Sequence, residues 1–96
     1  MALQIALDDT QSEIGAAVPA AYVRIVLYTH DVKNDLIQVA LDFHYNQAAR
    51  NAGRRPIKGA GYQTTENAVN VFTGGMQARI YSWLKTLPEF AGAVDV

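Results

Sequence analysis

The chain has 96 residues, half of them apolar and 18% charged, with a net charge of −1 and no cysteine. That length holds one domain, residues 1–96, with a modest core: roughly 60–65% of the unfolded surface is buried at this size. The near-zero charge argues against a whole-protein electrostatic grip on DNA, RNA or anionic lipid, and the missing thiols exclude disulfides, thiolate zinc sites and cysteine nucleophiles.

Residues 1–15 contain neither Lys nor Arg, whereas a secretory leader begins with a basic stretch. The apolar run 15–23 is interrupted by Pro19 and falls short of the about 20 residues a spanning helix needs. A chain assembled in the cytoplasm, without a membrane segment, is expected.

Leu3, Ile5 and Leu7 alternate with Gln4, Ala6 and Asp8, the period of a half-buried strand over residues 2–8. Gly15 and Pro19 mark an irregular connection. Residues 21–29 are dense in β-branched and aromatic side chains, with Val23, Ile25 and Leu27 on one face and Tyr22, Arg24, Val26 and Tyr28 on the other. A turn-forming stretch from His30 to Asp35 follows. Alternation resumes over 36–45, with Ile37, Val39, Leu41 and Phe43 set against Gln38, Ala40, Asp42 and His44. Two such runs around a short polar connection predict a β-hairpin with Val23, Ile25, Leu27, Ile37, Val39, Leu41 and Phe43 buried.

Residues 46–51 predict a helical turn ended by Gly53. Residues 54–61, with Pro56, Gly59 and Gly61, read as a loop before a short closing strand at 62–64. Thr65 is a candidate N-cap for a helix over 66–72, and Gly74-Gly75 should break the chain before a second helix over 76–86. Met76, Ile80, Trp83, Leu84 and Leu87 form its core stripe, and Pro88 stops it. The tail 88–96 is too short for an element of its own and reads as a docking tail, with Phe90 its large apolar anchor. Strands first and helices last predict an α+β fold: a small antiparallel sheet built on a central hairpin and packed against C-terminal helices, with at least one edge strand exposed.

Chemistry is sparse. His30, Asp31, Asp35, Asp42 and His44 are the candidate metal ligands, but the two histidines fall at opposite ends of the hairpin, so no metal site is expected within one chain. Asp8 and Asp9 point to opposite strand faces. Asp42 and His44 share a face and are the one pair an enzyme reading could use, yet there is no nucleophile elbow, no phosphate loop and little chain to build a deep pocket. No catalytic residue and no cofactor is assigned. Arg50, Arg54, Arg55 and Lys58 put four basic residues into nine positions near Tyr62. They could contact phosphates as a small nucleic-acid-binding module, a reading the neutral total weighs against, or pair with acidic groups on a neighbouring subunit. Tyr22, Tyr28 and Tyr45 would show on the face opposite the core and could anchor an interface.

The stretch Ile80-Tyr81-Ser82-Trp83-Leu84-Lys85-Thr86-Leu87-Pro88-Glu89-Phe90-Ala91-Gly92-Ala93-Val94-Asp95-Val96 resembles the ending of small virion-associated proteins encoded among the tail genes of tailed bacteriophages. Tyr22-Val23-Arg24-Ile25, the hairpin after it and the segment 46–53 look similar to the same proteins more loosely. The resemblance implies a structural, non-catalytic virion subunit working in many copies, most simply a tail or baseplate adaptor, with a capsid decoration or head–tail connector subunit as the alternative. Its implied partners are other virion proteins and copies of itself, in a ring-like homo-oligomer or a hetero-assembly. Tyr22, Tyr28, Tyr45, Arg50, Arg54, Arg55, Lys58 and Phe90 are the expected interface residues.

Overall fold

The computed structural model describes residues 2–8, 10–12 and 14–96. It has an α+β fold. Strands β1 (Leu3–Leu7), β2 (Val18–Asp31), β3 (Leu36–His44), β4 (Lys58–Thr64) and β5 (Val94–Asp95) form one antiparallel sheet in the order β4-β3-β2-β1-β5. Helices α1 (Gln47–Asn51), α2 (Glu66–Asn70) and α3 (Met76–Leu84) complete the fold, with a 3-10 turn at Pro88–Phe90.

The hairpin β2–β3 is the spine. Asp35, at φ 49°, closes its turn, and its carboxylate accepts the Glu66 backbone N–H at 2.9 Å, tying the hairpin tip to the start of α2. The adjacent Thr65 hydroxyl accepts the Ala68 N–H as the expected N-cap. The short α1 is likewise capped by Asn46, whose side chain accepts the Ala49 N–H at 2.7 Å, and Gly53 in the left-handed region follows it.

One face of the sheet is the core. Leu3, Ile5, Val18, Ala21, Val23, Ile25, Ile37, Val39, Leu41 and Phe43 are buried with Val69, Ile80 and Leu84 from the helices. Met76, Trp83 and Leu87 of the expected α3 stripe pack against this cluster, partly buried. Tyr81, outside that stripe, is buried as well, and its hydroxyl accepts the Ile25 backbone N–H at 2.7 Å. The β1 ladder ends at the Leu3–Val23 pair, so a β2 amide beyond it needs another acceptor. The phenol of α3 supplies one.

Several sequence expectations change. First, β2 begins at Val18 rather than near 21, and Pro19 lies inside it, where the β1 pairing slips between Ile5 and Leu7. A proline lacking its N–H is tolerated at such a slip. Second, the alternation along β2 inverts. Ile25 pairs with Leu41 but Leu27 with Ala40, so two residues of β2 oppose one of β3. Leu27, expected in the core, is 61% exposed, and Tyr28 turns to the helix side, where it shares a shallow cavity with Gln77 of α3.

Third, residues 58–61 belong to strand β4, because β3 offers a full ladder from Ile37–Thr64 to Phe43–Lys58 despite the glycines. Fourth, the tail folds back on its own chain. Val94–Asp95 pairs with β1, Ala2 and Val96 exchange backbone hydrogen bonds at 3.2 and 3.0 Å, and Lys85 holds Asp95 at 3.0 Å. The two helices are also shorter than expected, ending at Asn70 and Leu84.

Truncating the Tyr81 hydroxyl should isolate the helix–strand bond. Tyr81→Phe leaves the Ile25 N–H buried without a partner, which lowers the unfolding free energy by about 1–3 kcal/mol in urea denaturation. A change within about 0.5 kcal/mol, the size of an ordinary surface substitution, would mean that another acceptor reaches Ile25.

Candidate functional site

Helices α2 and α3 cover one face of the sheet. The other face carries Gln4, Tyr22, Arg24, Leu27, Thr29, Gln38, Ala40, Asp42, His44, Gly61 and Gln63, as the pleat and the shift in β2 dictate. This second face divides into a polar end, near α1, and an open apolar furrow.

At the polar end Tyr22 lies directly across the ladder from His44, and Arg24 across from Asp42. The Tyr22 and His44 rings meet edge to face at 6.4 Å. His44 is only 7% exposed, and its Nδ1 has no hydrogen-bond partner among the described residues. Burial pushes the imidazole below its ordinary 6.5; the Arg24 and Arg50 cations push the same way, and the Asp42 carboxylate opposes them. His44 is thus a neutral ring beneath α1, with Asp42, the other member of the candidate acid–base pair, two residues away on the same face.

Beyond it, Tyr45, Asn46, Ala48, Ala49, Arg54, Arg55 and Ile57 line a cavity of about 650 Å³. Tyr45 is exposed there, and neither arginine is ion-paired among the described residues. Lys58 does not join them. Its ammonium lies 4.9 Å from the centre of the Phe43 ring on the core side and donates to the Gln11 carbonyl at 2.9 Å. The basic cluster of the sequence is therefore divided: Arg50 acts on His44, Arg54 and Arg55 line the cavity, and Lys58 braces the loop before β2.

The tyrosines do not share one face either. Tyr22 lies on the second face, Tyr45 beyond the end of β3, and Tyr28 on the helix side, displaced by the shift at Ile25–Leu27. Phe90 is not available to a neighbour. It is 1% exposed, packed against Phe43 at 6.1 Å and Tyr62 at 5.8 Å between centroids.

The furrow lies between β2 and β4. Leu27, Thr29, Gln38, Ala40, Gly61 and Gln63 line a cavity of about 480 Å³ there. Sequence reasoning placed Leu27 in the core and Gly61 in a loop, so this feature was missed. The one signal for it was the pair of glycines alternating with Ala60 and Tyr62.

The remaining polar candidates serve the backbone. Asp31 accepts from Asn34 through both backbone and side chain, which lowers its carboxyl, and Asp8 does the same for Thr10 and Gln11. Asp9 lies outside the described residues. His30 is 3.6 Å from the Glu66 carboxylate. Among the described residues no three His, Asp or Glu side chains come together as a metal would require, and no helix is long and apolar enough to cross a membrane. Compared with known proteins, the chain matches no family model, no curated protein and no solved structure.

The buried ring sets a pH dependence. Its folded pKa lies below 6.5, so in the window just beneath 6.5 the unfolded chain binds more protons than the folded one. Stability contributed by neutral His44 is present at pH 7 and lost as the pH falls through that window. Urea midpoints measured from pH 7 to pH 5 should decline, and His44→Gln should flatten the decline while the rest of the acid limb persists. An identical slope in the variant would remove His44 as the cause.

Proposed function

We propose that this chain is a non-catalytic structural subunit of a tailed-bacteriophage virion, an adaptor in the tail or baseplate that works by docking neighbouring subunits. The observation that carries the docking role is the second face of the sheet. An isolated domain gains by hiding large apolar side chains, yet Leu27 stands 61% exposed in the middle of a strand, beside Ala40 and Gly61 and beneath no helix. The arginine-lined cavity at Tyr45 lies at the other end of the molecule's hairpin and suits an acidic surface on a second neighbour. The virion assignment rests on the resemblance of residues 80–96 and of the strand pattern before them. Phe90 no longer counts among the docking residues, since it closes the chain's own core, and Val94–Asp95 pairs with the chain's own β1.

Particles made by the phage genome that carries this gene should contain the protein in fixed copy number by quantitative mass spectrometry. Leu27→Arg, at an exposed position, should change the unfolding free energy by no more than about 0.5 kcal/mol. It should nevertheless remove the protein from particles. Particles that lack the wild-type protein would overturn the reading. If Arg54→Ala with Arg55→Ala instead abolishes binding to single-stranded nucleic acid in a salt-dependent shift assay, the arginine cavity belongs to a nucleic-acid site.

A further inference from the structure

Strand β4 contains two glycines that nothing among the described residues requires. Glycine weakens a strand, and it persists there for a bulge, a tight bend or the close approach of another group. The β4 ladder is regular from Ile37–Thr64 to Phe43–Lys58, and neither Gly59 nor Gly61 is among the residues of positive φ. A Cβ at Gly59 would come no closer than 3.6 Å to the Leu41 carbonyl, and one at Gly61 no closer than 3.9 Å to the Val39 carbonyl. Both are ordinary contacts. The missing side chains therefore leave room on the uncovered face for something outside the chain.

The two edges of the sheet differ in a way that points to β4. The β5 edge is two residues long and carries the Lys85–Asp95 ion pair. Shortness and charge are the usual guards of an edge. The β4 edge is seven residues long, Lys-Gly-Ala-Gly-Tyr-Gln-Thr, with neither proline nor bulge. Its one charged residue, Lys58, is drawn to the Gln11 carbonyl and the Phe43 ring.

We propose that β4 is a homodimer seam: two copies pair their β4 strands antiparallel about Gly61 and join two sheets into one. Residues opposite each other in a ladder lie on the same face, and among the registers that respect this only centring on Gly61 uses the whole strand. Lys58 then faces the second copy's Thr64, with no like charges opposed. Ala60 faces the second copy's Tyr62 on the helix side, small against large. Gly59 faces the second copy's Gln63, whose side chain takes the gap that Gly59 leaves beside Asp42, next to the furrow that Gly61 leaves beside Leu27 and Ala40. The two-fold axis repeats each contact, so one strand supplies both halves of the seam. The proposal goes beyond the virion reading and stands whether or not the chain belongs to a particle.

A seam built on one strand pair lies at the small end of specific interfaces, so sedimentation equilibrium should span roughly 1–500 µM. The purified chain should pass from monomer to dimer over that range. Because the chain has no cysteine, Gly61→Cys introduces a single thiol. Opposed residues in an antiparallel pair have Cα atoms about 4.5–5.5 Å apart, within disulfide reach. Mild oxidation should link Gly61→Cys into covalent dimers, while Gln38→Cys, on the same face but on β3, stays monomeric. Gly59→Val with Gly61→Val fills the furrow with good strand formers. That variant should keep or raise the melting temperature of the dilute monomer and weaken dimerisation by at least about tenfold. A chain that stays monomeric throughout, equal cross-linking at positions 38 and 61, or a valine variant that loses monomer stability would each overturn the proposal.

Discussion

The hydrogen bond from the Ile25 N–H to the Tyr81 hydroxyl governs how the sheet and helices of this protein fit together. Strand β2 is longer than its neighbour β1, so its amides beyond Val23 leave the ladder on that side. An amide buried there without an acceptor would oppose folding by more than a good hydrogen bond favours it. Tyr81 meets that need from α3 and fixes the helix against the strand where β2 also takes its extra residue. Burial of the phenol raises its pKa, and the accepted bond from Ile25 works against the rise.

The extra residue between Ile25 and Leu27 sets the character of both faces. From Ala21 to Ile25, odd-numbered residues of β2 point into the core; after the extra residue, even-numbered ones take the helix side. Tyr28 and His30 consequently face the helix side, which brings His30 to the Glu66 carboxylate at the start of α2. Leu27 and Thr29 face outward, in place of the Val26 and Tyr28 that unbroken alternation would have put there. The open apolar furrow is a product of this one-residue shift.

The polar side chains fall into two groups under the same geometry. Asp8, Asp31, Asp35, Asn46 and Thr65 cap turns and helix starts, holding loops in place by satisfying local amides. Arg54 and Arg55 line a cavity, while Arg24 and Arg50 crowd a neutral histidine. The division follows donor and acceptor chemistry: carboxylate, amide and hydroxyl oxygens accept backbone N–H groups, whereas a guanidinium only donates.

Much of the fold was legible in the sequence. The hairpin followed from alternation in residues 21–45, the helix starts from Thr65 and Gly75, the α3 stripe from its spacing and the α+β class from element order. Those features depend on periods of two and 3.6 residues, which neighbouring side chains express directly. The site was less legible. Whether Leu27 is inside or outside depends on one inserted residue, which local composition does not mark. Whether Gly59 and Gly61 lie in a loop or a strand depends on β3 being present to pair with them. Phe90 and Lys58 look like free surface groups until Phe43 is brought beside both. The sequence by itself determined a small, cysteine-free, near-neutral α+β domain around a β-hairpin. Only the tertiary structure decided which residues remain outside it, because exposure follows from the register between strands and the packing of distant segments, and neither is a property of any local stretch of chain.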